Sequence, residues 1–178
     1  MVGVLVVLLC FAFGCRNKAE KAELEKLRTQ VKVEAQNKAI ANREWEAWIK
    51  EDFETFKEVV APEYAWYFPS GSTKARSREE AIETMKMIHN DVADVTFSIE
   101  EMFAVGNRVI ARYIRYIMRG VQQREWKGIP ATGSKVEGSG MLIFRIENGK
   151  VVDIREEFDM VGFMQQLGME LRPREVKK

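Results

Sequence analysis

The chain has 178 residues, 46% of them hydrophobic, which is enough for one ordinary domain with a core and an appendage but not for two full domains. Basic and acidic side chains nearly cancel at a formal charge of +1, so no global field favours nucleic acid, and no nucleic-acid partner is expected. Both cysteines, Cys10 and Cys15, stand at the extreme N-terminal end and His89 is the single histidine, which excludes a disulfide framework, a cysteine metal site in the folded body and a multi-histidine metal centre.

Residues 2–14 are an uncharged apolar run, shorter than the roughly twenty residues a helix needs to cross a bilayer, and they read as the core of a signal peptide spanning residues 1–14. Gly14 precedes Cys15 and a charged segment follows at once, a pattern that resembles a bacterial lipobox with Cys15 as the lipidated residue. Two features depart from it: Ala12 stands where leucine is usual, and no Lys or Arg precedes the run. The expectation is an exported protein held on the periplasmic side of a bacterial membrane as a lipoprotein, with plain secretion as the alternative. Residues 15–36 are rich in Lys, Glu, Arg, Gln and Ala with no Gly or Pro, which predicts a solvated helical stalk. Leu24, Leu27 and Val31 keep a heptad spacing for little more than one heptad, so a dimerising coil is the lesser reading.

The globular domain is expected over residues 37–169, leaving a polar tail at 170–178. From Ile40 the apolar residues Trp45, Trp48, Ile49, Phe53 and Phe56 recur at helical spacing, up to Ala61-Pro62, where proline steers its predecessor out of the helical basin. A short extended aromatic segment over 64–69 and a turn at 70–72 come next. Ser77 with Glu80 is a capping-box signature for a helix reaching His89. Four extended stretches then follow at 95–103, 108–119, 135–146 and 150–158, with hairpin turns at Gly106-Asn107 and Asn148-Gly149, and a short terminal helix over 160–167. Helices first and strands afterwards make an α+β layout. A curved antiparallel sheet with the N-terminal helices packed in its concave face would form a cone enclosing a mostly apolar pocket.

Two stretches, residues 102–112 (MFAVGNRVIAR) and 128–168, the latter opening Gly128-Ile129-Pro130-Ala131-Thr132-Gly133 and closing Gln165-Gln166-Leu167-Gly168, resemble the SnoaL-like polyketide (ester) cyclases of the nuclear transport factor two-like superfamily. The likeness covers residues 37–169. It implies the cone fold, a small apolar or aromatic ligand, and intramolecular aldol-type ring closure without metal or organic cofactor. Such chemistry needs a base to remove a proton beside a carbonyl and a donor for the enolate oxygen. It also implies a catalytic carboxylate at Asp159, on the end of the last strand. Read from the residues alone, Asp159 is as well explained as the cap of the following helix. Relatives carry a histidine where this chain has Gln122, which can hydrogen-bond but cannot exchange a proton near neutrality, and an indole where it has Arg155.

Other candidates are weaker. His89 borders the apolar stripe of its helix, where a lone histidine more often packs than reacts. Tyr67, Tyr113 and Trp126 are candidates to line a ligand pocket, together with Tyr64 and Trp66, although aromatics on such a scaffold are as often core. Glu156 and Glu157 alternate along one strand, and either is compatible with plain exposure. Non-catalytic binding of an apolar metabolite, a homodimerising module, and isomerase, dehydratase or hydrolase chemistry on the same fold stand as alternatives, because fold alone does not set function.

Overall fold

The computed structural model describes residues 2–96, 98–113, 119–122, 124–125, 128–170 and 172–173, with side chains undescribed at 2–17, 92–96, 113 and 119–122. Helix α1 spans Val2–Lys50. Its residues 18–36 are almost entirely exposed, and burial begins at Asn37, from which Ala41, Glu44, Trp45, Ala47 and Trp48 turn one stripe of the helix into the domain. The predicted unbroken helix up to Ala61 divides in two. Glu51 takes a left-handed backbone (φ 52°), and Asp52 caps a new helix, α2 (Phe53–Val59), by accepting from Thr55 N at 3.0 Å.

Strand β1 (Val60–Tyr67) follows directly, earlier than the aromatic segment suggested, with Pro62 inside it. Proline is tolerated there because β1 is an edge strand and its register against its neighbour is irregular between Val60 and Ala65. Helix α3 (Arg78–Asp91) starts with the anticipated capping box, in which Glu80 N donates to Ser77 Oγ at 3.2 Å and Ser77 N donates to Glu80 Oε2 at 2.7 Å.

The remaining strands are β2 (Val92–Thr96), β3 (Glu101–Val105), β4 (Arg108–Tyr113), β5 (Arg119–Gln122), β6 (Lys135–Val136), β7 (Gly140–Glu147) and β8 (Lys150–Phe158), before the terminal helix α4 (Met160–Gln166). The four predicted stretches are therefore not four strands in a simple meander. Each of the first three is shared between a five-stranded sheet, ordered β1-β8-β7-β4-β3, and a three-stranded sheet, ordered β2-β5-β6. The β6–β7 junction shows how: Gly138 lies so close to the Phe158 ring that a Cβ there would meet it at 2.3 Å, and the strand breaks over 137–139. Nor is the large sheet wholly antiparallel. β1 runs parallel to β8, as two strands from opposite ends of the domain are free to do. The Asn148-Gly149 turn has both residues at positive φ (50° and 74°), the type I′ geometry that joins β7 to β8 tightly.

The result is a mixed α+β fold with a curved, unclosed sheet. Val109, Ala111, Leu142, Phe144, Ile154 and Trp66 on one face of the large sheet bury against the stripe of α1. Polar contacts hold the helix at both ends of this interface. At one end Glu34 accepts from Gly106 N at 3.1 Å while Asn37 Nδ2 donates to Gly106 O at 2.8 Å, so the β3–β4 turn is gripped through both sides of one residue. Asn37→Ala removes a hydrogen bond made by a buried side chain, and we expect a loss of about 1 kcal/mol in urea unfolding, with Gln36→Ala as the unaffected control.

Candidate functional site

An acid stands in the middle of the apolar stripe of α1. Glu44 is 1% exposed, flanked at helical spacing by Ala41 and Trp48, and its Oε1 has no hydrogen-bond partner among the described residues. Burial pushes its carboxyl up to about 8 from an ordinary 4.5; the nearby Glu156 adds to the rise, and a hydrogen bond from the Trp48 indole offsets part of it. At neutral pH Glu44 is consequently a carboxylic acid able to donate, held in a dry environment.

Glu156 reaches the same region from β8. Its cross-strand partner is Leu142, itself paired with Ala111, and both are buried, so Glu156 shares their face. Trp66 Nε1 donates to Glu156 Oε2 at 2.9 Å. Tyr64, 4% exposed, lies close enough that its phenol is raised well above 10 by burial first, then by the charges of Glu44, Glu156 and Asp153. Aromatic rings extend the wall: Trp48 to Trp66 (5.5 Å), Trp66 to Phe68 (6.1 Å), Phe68 to Phe158 (6.5 Å) and Phe158 to Phe163 (5.5 Å). Two carboxyl groups, one raised by burial and one accepting from an indole, thus sit beside a continuous aromatic surface.

The residues singled out from sequence are distributed differently. Asp159 is exposed and is the N-cap of α4, its Oδ1 accepting from Gly162 N at 2.9 Å. His89 spans from α3 to the end of α1, with Nε2 3.1 Å from Trp48 O and Nδ1 3.3 Å from Glu51 Oε1, a packing role that ties two helices together. Tyr67 lies in the cross-strand row Phe103, Ile110, Ile143, Arg155, on the face opposite Trp66, and carries the Arg155 guanidinium 4.4 Å over its ring; it does not line the inner face. That placement also puts Arg155 outside. Gln122 and Tyr113 lie on β5 and β4 with side chains outside the described residues, as does Trp126 altogether. An open groove of about 630 Å³ between α1 and the two hairpin turns, lined by Val33, Asn37, Ile40, Arg43 and Asn107 among others, contains none of these residues.

Sequence reasoning passed over Glu44. The available signal was a lone acid at a three- and four-residue step between Ala41 and Trp48, on the face that the surrounding tryptophans mark as buried.

An unclosed curved sheet wrapped over a helix that carries a buried acid, Glu44, defines the mixed α+β fold. Residues 38–167 match the family of SnoaL-like polyketide cyclases, and the chain belongs to that family. Among solved structures it is similar to IdmH from Streptomyces antibioticus, with 24% identity over 75% of this chain and 99% of that one (TM-score 0.63). A SnoaL-like polyketide cyclase from Agrobacterium tumefaciens shares 15% identity over 74% of this chain and 98% of that one (TM-score 0.61). An epoxide hydrolase of M. tuberculosis, described as LEH-like, shares 15% over 75% and 90% (TM-score 0.57). At these identities the likenesses speak for the fold. No curated protein matches the chain significantly.

A carboxyl whose pKa is raised in the folded state favours folding fully below its unfolded value and loses that contribution as pH climbs to the folded value. Glu44 therefore predicts falling stability between about pH 4.5 and 8. Urea midpoints taken across that window should decline in the wild type, by an amount equivalent to a few kcal/mol at most. In Glu44→Gln the decline should flatten.

Proposed function

We propose that this protein is a small-molecule enzyme working by cofactor-free acid/base chemistry of the aldol-cyclisation type, with Glu44 as the acid. The observation that carries the reading is the buried Glu44 carboxyl, held neutral beside a second carboxyl. In the reaction Glu156 removes a proton from the carbon next to a ligand carbonyl, and the resulting enolate carbon bonds to a second carbonyl carbon of the same molecule. The oxygen of that second carbonyl takes the Glu44 proton as its C=O π bond breaks. The proton on Glu156 passes back to the neighbouring Glu44 carboxylate, so the cycle consumes nothing. The aromatic wall supplies the apolar surface that a polyketide-like or aromatic ligand needs.

Glu44→Gln keeps the shape and removes the exchangeable proton. It should lower kcat for an enolisable diketone by roughly 10²-fold or more, with KM little changed. Asp159→Asn keeps the helix cap, since Asn caps as well as Asp, and should leave kcat within about twofold. The opposite pattern, a dead Asp159→Asn and an active Glu44→Gln, would return the catalytic role to Asp159.

A second reading, a homodimeric binding module, is favoured by one observation: Phe103, Val105 and Met141 are 56%, 68% and 43% exposed on the large sheet, with acidic and basic neighbours interspersed. Sedimentation of Phe103→Asp against wild type decides whether that face pairs.

For location we propose export and anchoring through a lipid on Cys15, with exposed residues 18–36 as the spacer. The support is the apolar run at 2–14 and the exposed helix that follows. Labelled palmitate should enter the wild-type chain in cells and not Cys15→Ser, which should move to the soluble periplasmic fraction.

A further inference from the structure

We propose that Arg76 is the anchor for a negatively charged oxygen group on a planar ligand, so that the substrate class is a flat molecule bearing a carboxylate or an enolate. This rests on the inner face being the ligand site, as above, but names what that face selects. The Arg76 guanidinium lies 4.6 Å from the Trp66 ring centroid and 5.4 Å from that of Phe68. Its backbone is pinned to the same strand, with Trp66 N donating to Arg76 O at 2.9 Å and Arg76 N donating to Trp66 O at 2.8 Å, so the cation is held over those rings by main-chain geometry.

Stacked, half-buried guanidinium groups ordinarily meet a carboxylate. Among the described residues Arg76 has no carboxylate at ion-pair distance, although its charge, after the hydrogen bond from Ser77 N, helps to hold the Glu80 carboxyl below the usual range. Glu156 accepts from the Trp66 indole, Glu44 is neutral, and Glu80 is taken up by the capping box of α3. The cation is therefore set in an aromatic surface with its fork of donors still to be matched. Phe68, Phe158 and Phe163 continue the wall beyond it and offer a face for a ring system. A neutral ligand would gain only the stacking. One with an anionic oxygen would also gain charge-assisted hydrogen bonds in a poorly solvated place, where they are strongest.

The test is binding rather than turnover. Tryptophan fluorescence titrations with 2-naphthoate and its neutral isostere 2-naphthamide compare the same ring with and without the charge. Wild type should bind the carboxylate at least roughly tenfold more tightly. Arg76→Gln should erase that preference while leaving 2-naphthamide affinity within about twofold, and Arg76→Lys, which keeps the charge but not the planar fork, should retain part of it. Equal affinity of the two probes in wild type, no saturable binding of either, or a preference that survives Arg76→Gln overturns the proposal. The wild-type comparison stands even where a variant fails to fold. Because no step of chemistry is read, loss of the acid/base reading through an active Glu44→Gln would leave this result untouched, and the reverse holds too.

Discussion

The docking of one face of α1 into the curve of the five-stranded sheet is the constraint on which the other features depend. The inner face of that sheet is apolar and must be covered. The stripe from Asn37 to Trp48 supplies that cover. Both ends of the interface are fastened by polar contacts, to the peptide of Gly106 at one end and to His89 at the other. Between them the stripe must be apolar to be stable, and Glu44 interrupts it.

A buried acid with an unpartnered oxygen is a liability for folding, and such liabilities concentrate where chemistry is done. The surrounding groups do not relieve Glu44 by neutralising it with a cation. They instead place a second acid, Glu156, near enough to make its ionisation harder still, and only the Trp48 indole eases it. Environment thus sets the two glutamates apart although their side chains are chemically identical: one is fully buried with a raised pKa, the other accepts a hydrogen bond from an indole.

Much of the fold was readable from local signals. The Ser77/Glu80 box and the Asn148-Gly149 turn each act over a few residues, and both occur as their chemistry dictates. What escaped is non-local. Sharing single extended stretches between two sheets depends on where Gly138 lets the backbone approach Phe158, and the parallel pairing of β1 with β8 joins residues some ninety positions apart. The site followed the same division. Asp159 occurs as the helix cap that its local sequence indicated. Glu44 and Arg76 were missed because what matters about them, burial in one case and stacking on two aromatic rings in the other, exists only once α1, β1 and α3 have been brought together. Tyr67 shows the cost of a period of two: one position along the strand from Trp66, it faces the other way.

The continuity of α1 through Asn37 has a geometric corollary. Residues 18–36 and the stripe that carries Glu44 belong to one rod, so the direction in which Leu24, Leu27 and Val31 point around the domain is set by helical phase. Each residue added or removed between them would swing that exposed edge by about 100° relative to the sheet. Whatever the outer half of the helix meets, the domain is presented to it at one azimuth, and its orientation is encoded in the residue count between Val31 and Glu44.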